Sequence, residues 1–436
     1  MSGSAMPILE ALIKSQGTLD DTVVLHINHC MDNSFYFNEQ LLRAFHDVIF
    51  VATPYNGRSP GANPGYAVYH ARRKGDAYLL QRGNSGLESI RCDFLQATRR
   101  LVSLALENEL LRYAAEGKKI LIIEDGGYHY SVINETAARF PILNAALLGA
   151  VEQTTAGTKK SCSQNGLLYP VLSVARSLYK VRVESYFVAN RVVGELVRMM
   201  HGIGEFIDFH PVLLLGYGII GRSAAFALKP RHMRIAVYDL DPEIEAAALS
   251  DGFDLWDGEF CTDMIVLGNT GTPSFTGQML ESFLAGKAKR IFLASSSSKQ
   301  VEFEDIFQEL KGCQKSCLPQ AAAYRLANGK EIVLLAEGYP LNFYDKNADS
   351  LTFDMIDPVF SEILTLAFYL KENLEALEHR TYLLGSDEAL GAYCDEAGLI
   401  KQWMEENGLS LDIDAFNVHP AEKKLRQIYF DGSDRK

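Results

Sequence analysis

Short apolar runs, four to six residues long, recur at 22–27, 48–52, 119–123, 212–215, 234–238, 263–267, 290–294 and 332–335. Each is β-prone and bounded by polar residues, which predicts strands. Longer segments with helical periodicity lie between most of them, the pattern of parallel sheets joined by crossover helices. The first three runs belong to an N-terminal half, and the last five to a second half beginning near His210. Within 183–201, Tyr186, Phe187, Asn190, Val193, Leu196, Val197 and Met200 recur at helical spacing, so a long amphipathic helix is expected between the halves. A similar helix is expected over 354–372. Such a pair would let the chain leave the first domain and return to it, with the last ~60 residues as a dimerising or covering tail. Helix spacing alone is equally satisfied if both are simply core helices.

Length supports more than one core: 436 residues is about three times a usual domain. The charge balance of 42 basic and 55 acidic residues leaves −13, so there is no global positive field to attract nucleic acid or anionic lipid. No apolar run near the middle approaches the ~20 residues of a membrane span, and the N-terminus lacks a signal-peptide pattern, so a cytoplasmic protein is expected. The opening Met-Ser-Gly-Ser-Ala-Met is set aside from fold reasoning. Seven scattered cysteines fit reduced thiols. Cys313 and Cys317 lack further ligands for a zinc site, and no histidine has metal-ligand spacing, so no metal is expected. The other histidines, His129 and His210 among them, are read as structural.

The most specific signal lies at 213–228. Leu213, Leu214 and Leu215 run into Gly216-Tyr217-Gly218-Ile219-Ile220-Gly221, and a helix is expected to follow. In a strand, turn, helix context the first glycine permits the turn, the second admits a pyrophosphate and the third lets helix and strand pack closely. Asp239, after the next β run, stands where a carboxylate accepts from an adenosine ribose. A negative charge there disfavours the extra phosphate of NADP, so NAD is the expected cofactor.

With these residues in place, the sequence resembles the S-adenosyl-L-homocysteine hydrolase (adenosylhomocysteinase) family over nearly its whole length. The resemblance continues through 263–271, Val301-Glu302, and Leu334-Leu335-Ala336-Glu337-Gly338 with Asn342. In the first half it is carried by Glu124-Asp125-Gly126-Gly127 and by Glu152-Gln153-Thr154-Thr155-Ala156-Gly157. It implies an α/β fold of two lobes, a Rossmann-type NAD-binding domain inserted into an α/β substrate domain. The expected boundaries are 1–185 for the substrate domain, 186–355 for the NAD domain, and 356–436 for a return helix and tail. That tail is expected to pack on the substrate domain and on an oligomer interface. The resemblance also implies a homodimer or homotetramer, with a nicotinamide ring facing the substrate in a cleft between the lobes.

The family's chemistry is oxidation of a ribose 3′-hydroxyl by tightly held NAD, removal of the now acidic C4′ proton, elimination at C5′, addition of water, and return of the hydride. By resemblance, Lys180 would handle the hydroxyl and Glu184 would stand in for the family's aspartate. Spacing of i and i+4 would face both to one site. His29 and Asp125 would move protons, and Gln153 would hold the sugar. Asp125 alone also reads as a helix cap, His29 as a polar loop residue and Lys180 as a snorkelling surface lysine. The expected cofactor residues are Gly216, Gly218, Ile219, Ile220, Gly221, Asp239, Thr154, Thr155, Asn269, Thr270 and Asn342.

Departures from the family cluster on the substrate side. Gln153 replaces a glutamate, Met31 and Asn33 replace a threonine and glutamate that read the adenine edge, and Ala156 replaces a threonine. Ala189 replaces a cysteine. Ser298 and Asp349, or neighbours, stand where the family has histidines. The Lys423, Lys424, Arg426 and Tyr429 segment departs from the family's terminal motif. An apolar Met31 cannot pair a polar base edge, and each buried unpaired group costs about 1–3 kcal/mol. The expectation is therefore a divergent NAD-dependent enzyme acting on another nucleoside, sugar or thioether. A simple NAD-dependent dehydrogenase and a catalytically silent NAD- or nucleoside-binding regulator are the alternatives.

Overall fold

The structure is a computed structural model describing residues 5–29, 31–53, 68–73, 76–80, 94–231, 234–297, 300–344 and 351–427. Its chain divides into two compact units, one of 1–181, 351–412 and 426–436, the other of 182–350 and 413–425. The tail differs from expectation: 413–425 belongs to the second unit rather than packing wholly on the first. Its polar side chains find their partners on the glycine-loop helix, as described below.

In the first unit the described strands are β1 (Leu19–His29), β2 (Phe45–Thr53), β3 (Val68–Arg73), β4 (Asp76–Leu80), β5 (Lys119–Glu124), β6 (Leu147–Glu152) and β7 (Val171–Ser173). The last strand of the chain, β16 (Thr381–Leu383), joins them in the order β16-β7-β6-β5-β1-β2-β3-β4. From β16 to β2 every pairing is parallel, and β3 and β4 add an antiparallel edge. The sheet grows from β1 to one side through β2 and to the other through β5, so the order reverses between β1 and β5. Val23, Leu25 and Ile27 of β1 bury themselves in one core with Ile49, Val51, Ile120 and Ile122. The alternate residues His26 and Asn28 therefore point to the opposite face, since strand side chains alternate. Helix Phe353–Asn373 serves this unit: Phe360 stacks on Phe37 at 4.2 Å, and Asp357 accepts from the Ile8 and Leu9 amides at 2.9 Å each. Those two amides open helix Pro7–Gln16, whose first turn has no intrahelical acceptors.

The second unit contains β8 (Val212–Leu215), β9 (Ile235–Tyr238), β10 (Asp254–Leu255), β11 (Met264–Gly268), β12 (Arg290–Ser295), β13 (Gln314–Leu318), β14 (Ala321–Arg325) and β15 (Glu331–Leu335). Their order is β10-β9-β8-β11-β12-β15-β14-β13. The first six are parallel and follow the 3-2-1-4-5-6 order of a doubly wound dinucleotide-binding sheet; β14 and β13 extend it antiparallel. Both faces are covered, which is why these strands read as continuous apolar runs. Leu214, Val237, Ile265 and Leu267 pack under helix Ser185–Gly202, while Leu213, Leu215, Val266 and Leu293 pack under Phe275, Met279 and Phe283. The molecule is thus an α/β protein with a Rossmann-type unit inserted in a second α/β unit. Among the described residues no helix is long and apolar enough to cross a membrane.

Candidate functional site

In the second unit the sheet order reverses between β8 and β11, where open α/β sheets place ligands beyond the carboxyl ends of the strands. Gly216 stands there with φ +88°, and a Cβ on it would lie 2.8 Å from the Thr270 side chain. Gly221 passes so close beneath that its Cβ would lie 2.1 Å from the Gly216 carbonyl oxygen. A Cβ on Gly218 would meet nothing within 4 Å, so space is kept open at the start of helix Ile219–Leu228. The first and third glycines shape the turn, and the second leaves room where a helix N-terminus attracts an anion. Ile219 and Ile220 form that helix's first turn. Asp239, just beyond β9, accepts from the Tyr217 amide at 2.8 Å and from the Asp241 amide at 3.0 Å, so its carboxylate is fixed beside the loop. Two shaped glycines, one open position and a tethered carboxylate fit a dinucleotide.

Residues around this loop do structural service. The Asn269 amide donates to the Leu215 carbonyl at 2.8 Å, tying β11 to β8. Thr270 commits both its amide (2.7 Å) and its hydroxyl (2.9 Å) to the buried Glu302, which also collects the Gly271 amide. Asn342 is buried in the short turn Leu341–Phe343. Ser298 and Asp349 lie outside the described residues, as does Tyr429.

The pattern of the sequence did not reveal the role of 413–425. His419 is buried; its Nδ1 accepts from the Ala421 amide at 3.0 Å, so the ring proton sits on Nε2 and is donated to the Tyr217 carbonyl at 2.8 Å. Asn417, held at φ +51°, donates to the Ser223 hydroxyl at 3.0 Å and accepts from Arg222 at 3.2 Å. Lys424 pairs with Asp241 and, at 3.0 Å, with Glu243. The segment therefore braces the glycine loop and the turn after Asp239.

In the first unit the polar groups gather where β1 and β5 end, again at the reversal of strand order. His29 closes β1 and Asp125 follows β5; Nε2 and Oδ1 are 3.5 Å apart. The Asp125 amide donates to the Ile27 carbonyl at 2.9 Å, fixing the carboxylate against the neighbouring strand. Burial alone would raise the Asp125 pKa, but the charge and hydrogen bond of His29, with Lys180 and His26 beyond, hold it below the usual value. Asp125 is thus held as a carboxylate in a partly buried setting. Behind it, Glu152 at the end of β6 accepts from the Gly126 (3.0 Å), Gly127 (3.1 Å) and Thr154 (2.8 Å) amides. Burial, then the charge of Glu124, raises Glu152 to about 8. Glu124 itself pairs with the buried His129. Gly157 must be glycine, because a Cβ would fall 2.1 Å from the Glu152 carboxyl.

The remaining expected residues divide. Gln153 follows Glu152 at the same edge, and its Oε1 accepts from Asn28 at 3.4 Å. Thr154 caps helix Thr155–Cys162, accepting from the Gly157 amide at 3.1 Å and donating to Glu152 at 2.7 Å; Thr155 is the helix's first residue. Both threonines, expected to touch the cofactor, lie in the first unit rather than in the Rossmann-type unit. Lys180 and Glu184 bound a π-helical turn, Lys180–Glu184, so the α-helical i, i+4 register expected for them does not hold: bonding in such a turn is i to i+5. Lys180 belongs to the first unit and Glu184 to the second. Met31 and Asn33 are buried at the start of helix Asp32–Ala44. Sequence reasoning passed over His26, Asn28 and Asn38, which form a buried hydrogen-bonded series leading to Gln153. The available signal was the spacing of His26 and Asn28, two polar residues on one face of an apolar strand.

No protein-family model matches the chain. It is 27% identical over 281 residues to the adenosylhomocysteinase of Sulfurisphaera tokodaii, covering 63% of this chain and 64% of that protein. The adenosylhomocysteinase of Thermotoga maritima is 25% identical over 293 residues, covering 66% and 70%. An uncharacterized protein of Mycobacterium tuberculosis is 26% identical over 352 residues, covering 78% and 63%. The chain thus spans under two thirds of the length of the first and third of these relatives. Among solved structures, the phosphoglycerate oxidoreductase of Vibrio cholerae O395 aligns with a TM-score of 0.37 at 12% identity, over 79% of this chain and 99% of that one. These are distant similarities to adenosylhomocysteinases.

Proposed function

We propose that the chain is an NAD-dependent enzyme of adenosylhomocysteinase type acting on a divergent nucleoside, sugar or thioether. The observation that carries this reading is the His29–Asp125 pair, Nε2 to Oδ1 at 3.5 Å, whose carboxylate is held below its usual pKa against burial by the charge and hydrogen bond of His29, with Lys180 beyond. It stands beyond the carboxyl ends of β1 and β5, in a chain whose other unit bears the complete glycine loop and Asp239. When bound, NAD supplies reversible oxidation of a secondary hydroxyl.

The chain's own residues then divide the labour. The Gly218 position admits the pyrophosphate, and Asp239 accepts from the ribose. Lys180 stabilises oxyanion character at the substrate hydroxyl, and Asp125 accepts the proton from the carbon next to the oxidised one. His29, as the partner of Asp125, passes protons on to the leaving group or to water. Gln153 orients the sugar. The departures at Met31 and Asn33 support a substrate other than adenosylhomocysteine, because an apolar Met31 leaves the polar edge of adenine unpaired there.

The test has two stages. Denatured protein is expected to release NAD, and adenosine analogues are expected to reduce the bound cofactor in the intact protein. Lys180→Met is expected to abolish that reduction with cofactor content unchanged; undiminished reduction removes Lys180 from the mechanism, and protein that never holds NAD refutes the reading.

A further inference from the structure

The direction of the buried hydrogen-bonded series at the end of β1 is fixed by a backbone group. The His29 amide, which can only donate, meets Asn28 Oδ1 at 2.6 Å, so the flip of the Asn28 amide is settled and Nδ2 occupies its other arm. That Nδ2 lies 3.3 Å from His26 Nε2 and 3.4 Å from Gln153 Oε1. His26 Nε2 must then accept, which leaves the ring proton on Nδ1, donated to Asn38 Oδ1 at 2.7 Å. Reversing Asn38 would set its amino group against that proton. The buried Asn38 Nδ2, which has no hydrogen-bond partner among the described residues, is the cost of keeping this direction. The ring itself is held by Phe50, stacked at 5.0 Å, and by the edge contact with Phe37 at 5.4 Å.

At the far end Gln153 has its oxygen occupied by Asn28. Its Nε2, on the other arm of a planar amide, has no protein partner among the described residues, and the side chain is partly exposed. We infer that Gln153 offers the substrate a donor, so the recognised atom is an oxygen that accepts without needing to donate: an ether, carbonyl or carboxylate oxygen. This rests on the proposed function insofar as Gln153 faces the substrate. A glutamate at 153 could also take the Asn28 hydrogen bond but would present an acceptor, and would add charge beside Asp125 and Glu152. The Asn28-to-Gln153 series therefore selects ligand polarity at one point of the site.

Two measurements test this on the full chain. With ¹⁵N-histidine label, the His26 signal, assigned through its shift in Asn38→Asp, is expected to report the Nδ1–H tautomer; the Nε2–H tautomer reverses the series and overturns the inference. Titration of holoenzyme with adenosine, 2′-O-methyladenosine and 3′-O-methyladenosine is expected to show one ether bound within about threefold of adenosine. In Gln153→Glu the affinity of that ether relative to adenosine is expected to fall at least tenfold. Equal discrimination in both proteins overturns the inference. Failure of all three to bind counts against the nucleoside part of the proposed function, and the tautomer then decides the series alone.

Discussion

His29 and Asp125 meet from neighbouring parallel strands, Nε2 to Oδ1 at 3.5 Å, because Ile27 of β1 lies in register with Glu124 of β5 and each side chain follows that pair by one or two residues. Asp125→Asn keeps the size but removes the base. Hydrogen exchange at the substrate carbon is expected to fall by roughly 10²–10⁴-fold with bound NAD unchanged. Isotope exchange followed by mass spectrometry checks this, and wild-type exchange in the variant would exclude Asp125 as the base.

Gly221→Ala addresses the second unit. A methyl group 2.1 Å from the Gly216 carbonyl oxygen must displace the turn. The expected outcome is at least tenfold weaker NAD retention, about 1.4 kcal/mol or more, read as cofactor per chain after extensive dialysis. Full retention would mean that this loop does not hold the dinucleotide.

Acid sensitivity should trace partly to His26. Burial lowers its pKa from 6.5 to about 4, with the Asn38 hydrogen bond and Asp125 opposing. The unfolded chain therefore binds more protons than the native one between these values. The stability associated with neutral His26 is complete above pH 6.5 and declines by about 3 kcal/mol as pH falls to about 4. Thermal midpoints measured from pH 7 down to 4.5 are expected to fall more steeply for wild type than for His26→Gln. Parallel slopes would assign the acid loss elsewhere.

Asp357→Ala should loosen the N-terminal helix. The Ile8 and Leu9 amides lose their shared acceptor, a cost of about 1–3 kcal/mol for buried donors left unpaired. Faster amide exchange at Ile8 and Leu9, with slow exchange retained in β8 and β11, is the expected signature. Unchanged exchange would show that Asp357 does not restrain the helix.

The Rossmann-type half was readable because its parallel strands are buried on both faces and stand out as apolar runs: 212–215 is β8 to the residue, and 290–294 is β12 less one. The resemblance also pointed to His29 and Asp125, which the structure brings together. What escaped had physical reasons. β6 ends on the buried Glu152, β7 is three residues long, and β13, Gln314–Leu318, is an exposed edge whose polar residues carry no burial pattern. The π-turn at Lys180–Glu184 differs from an α-turn by a hydrogen-bonding choice that tertiary packing makes. The His419 brace joins residues 202 positions apart, beyond any periodicity.

That brace has a bearing on how the protein is made. The strand, turn and helix of the glycine loop are synthesised first, and the imidazole that donates to Tyr217 is added 202 residues later. At 5–20 residues per second the nascent loop waits roughly 10–40 s for its support. Until His419 is added, the nascent chain exposes a turn without its brace.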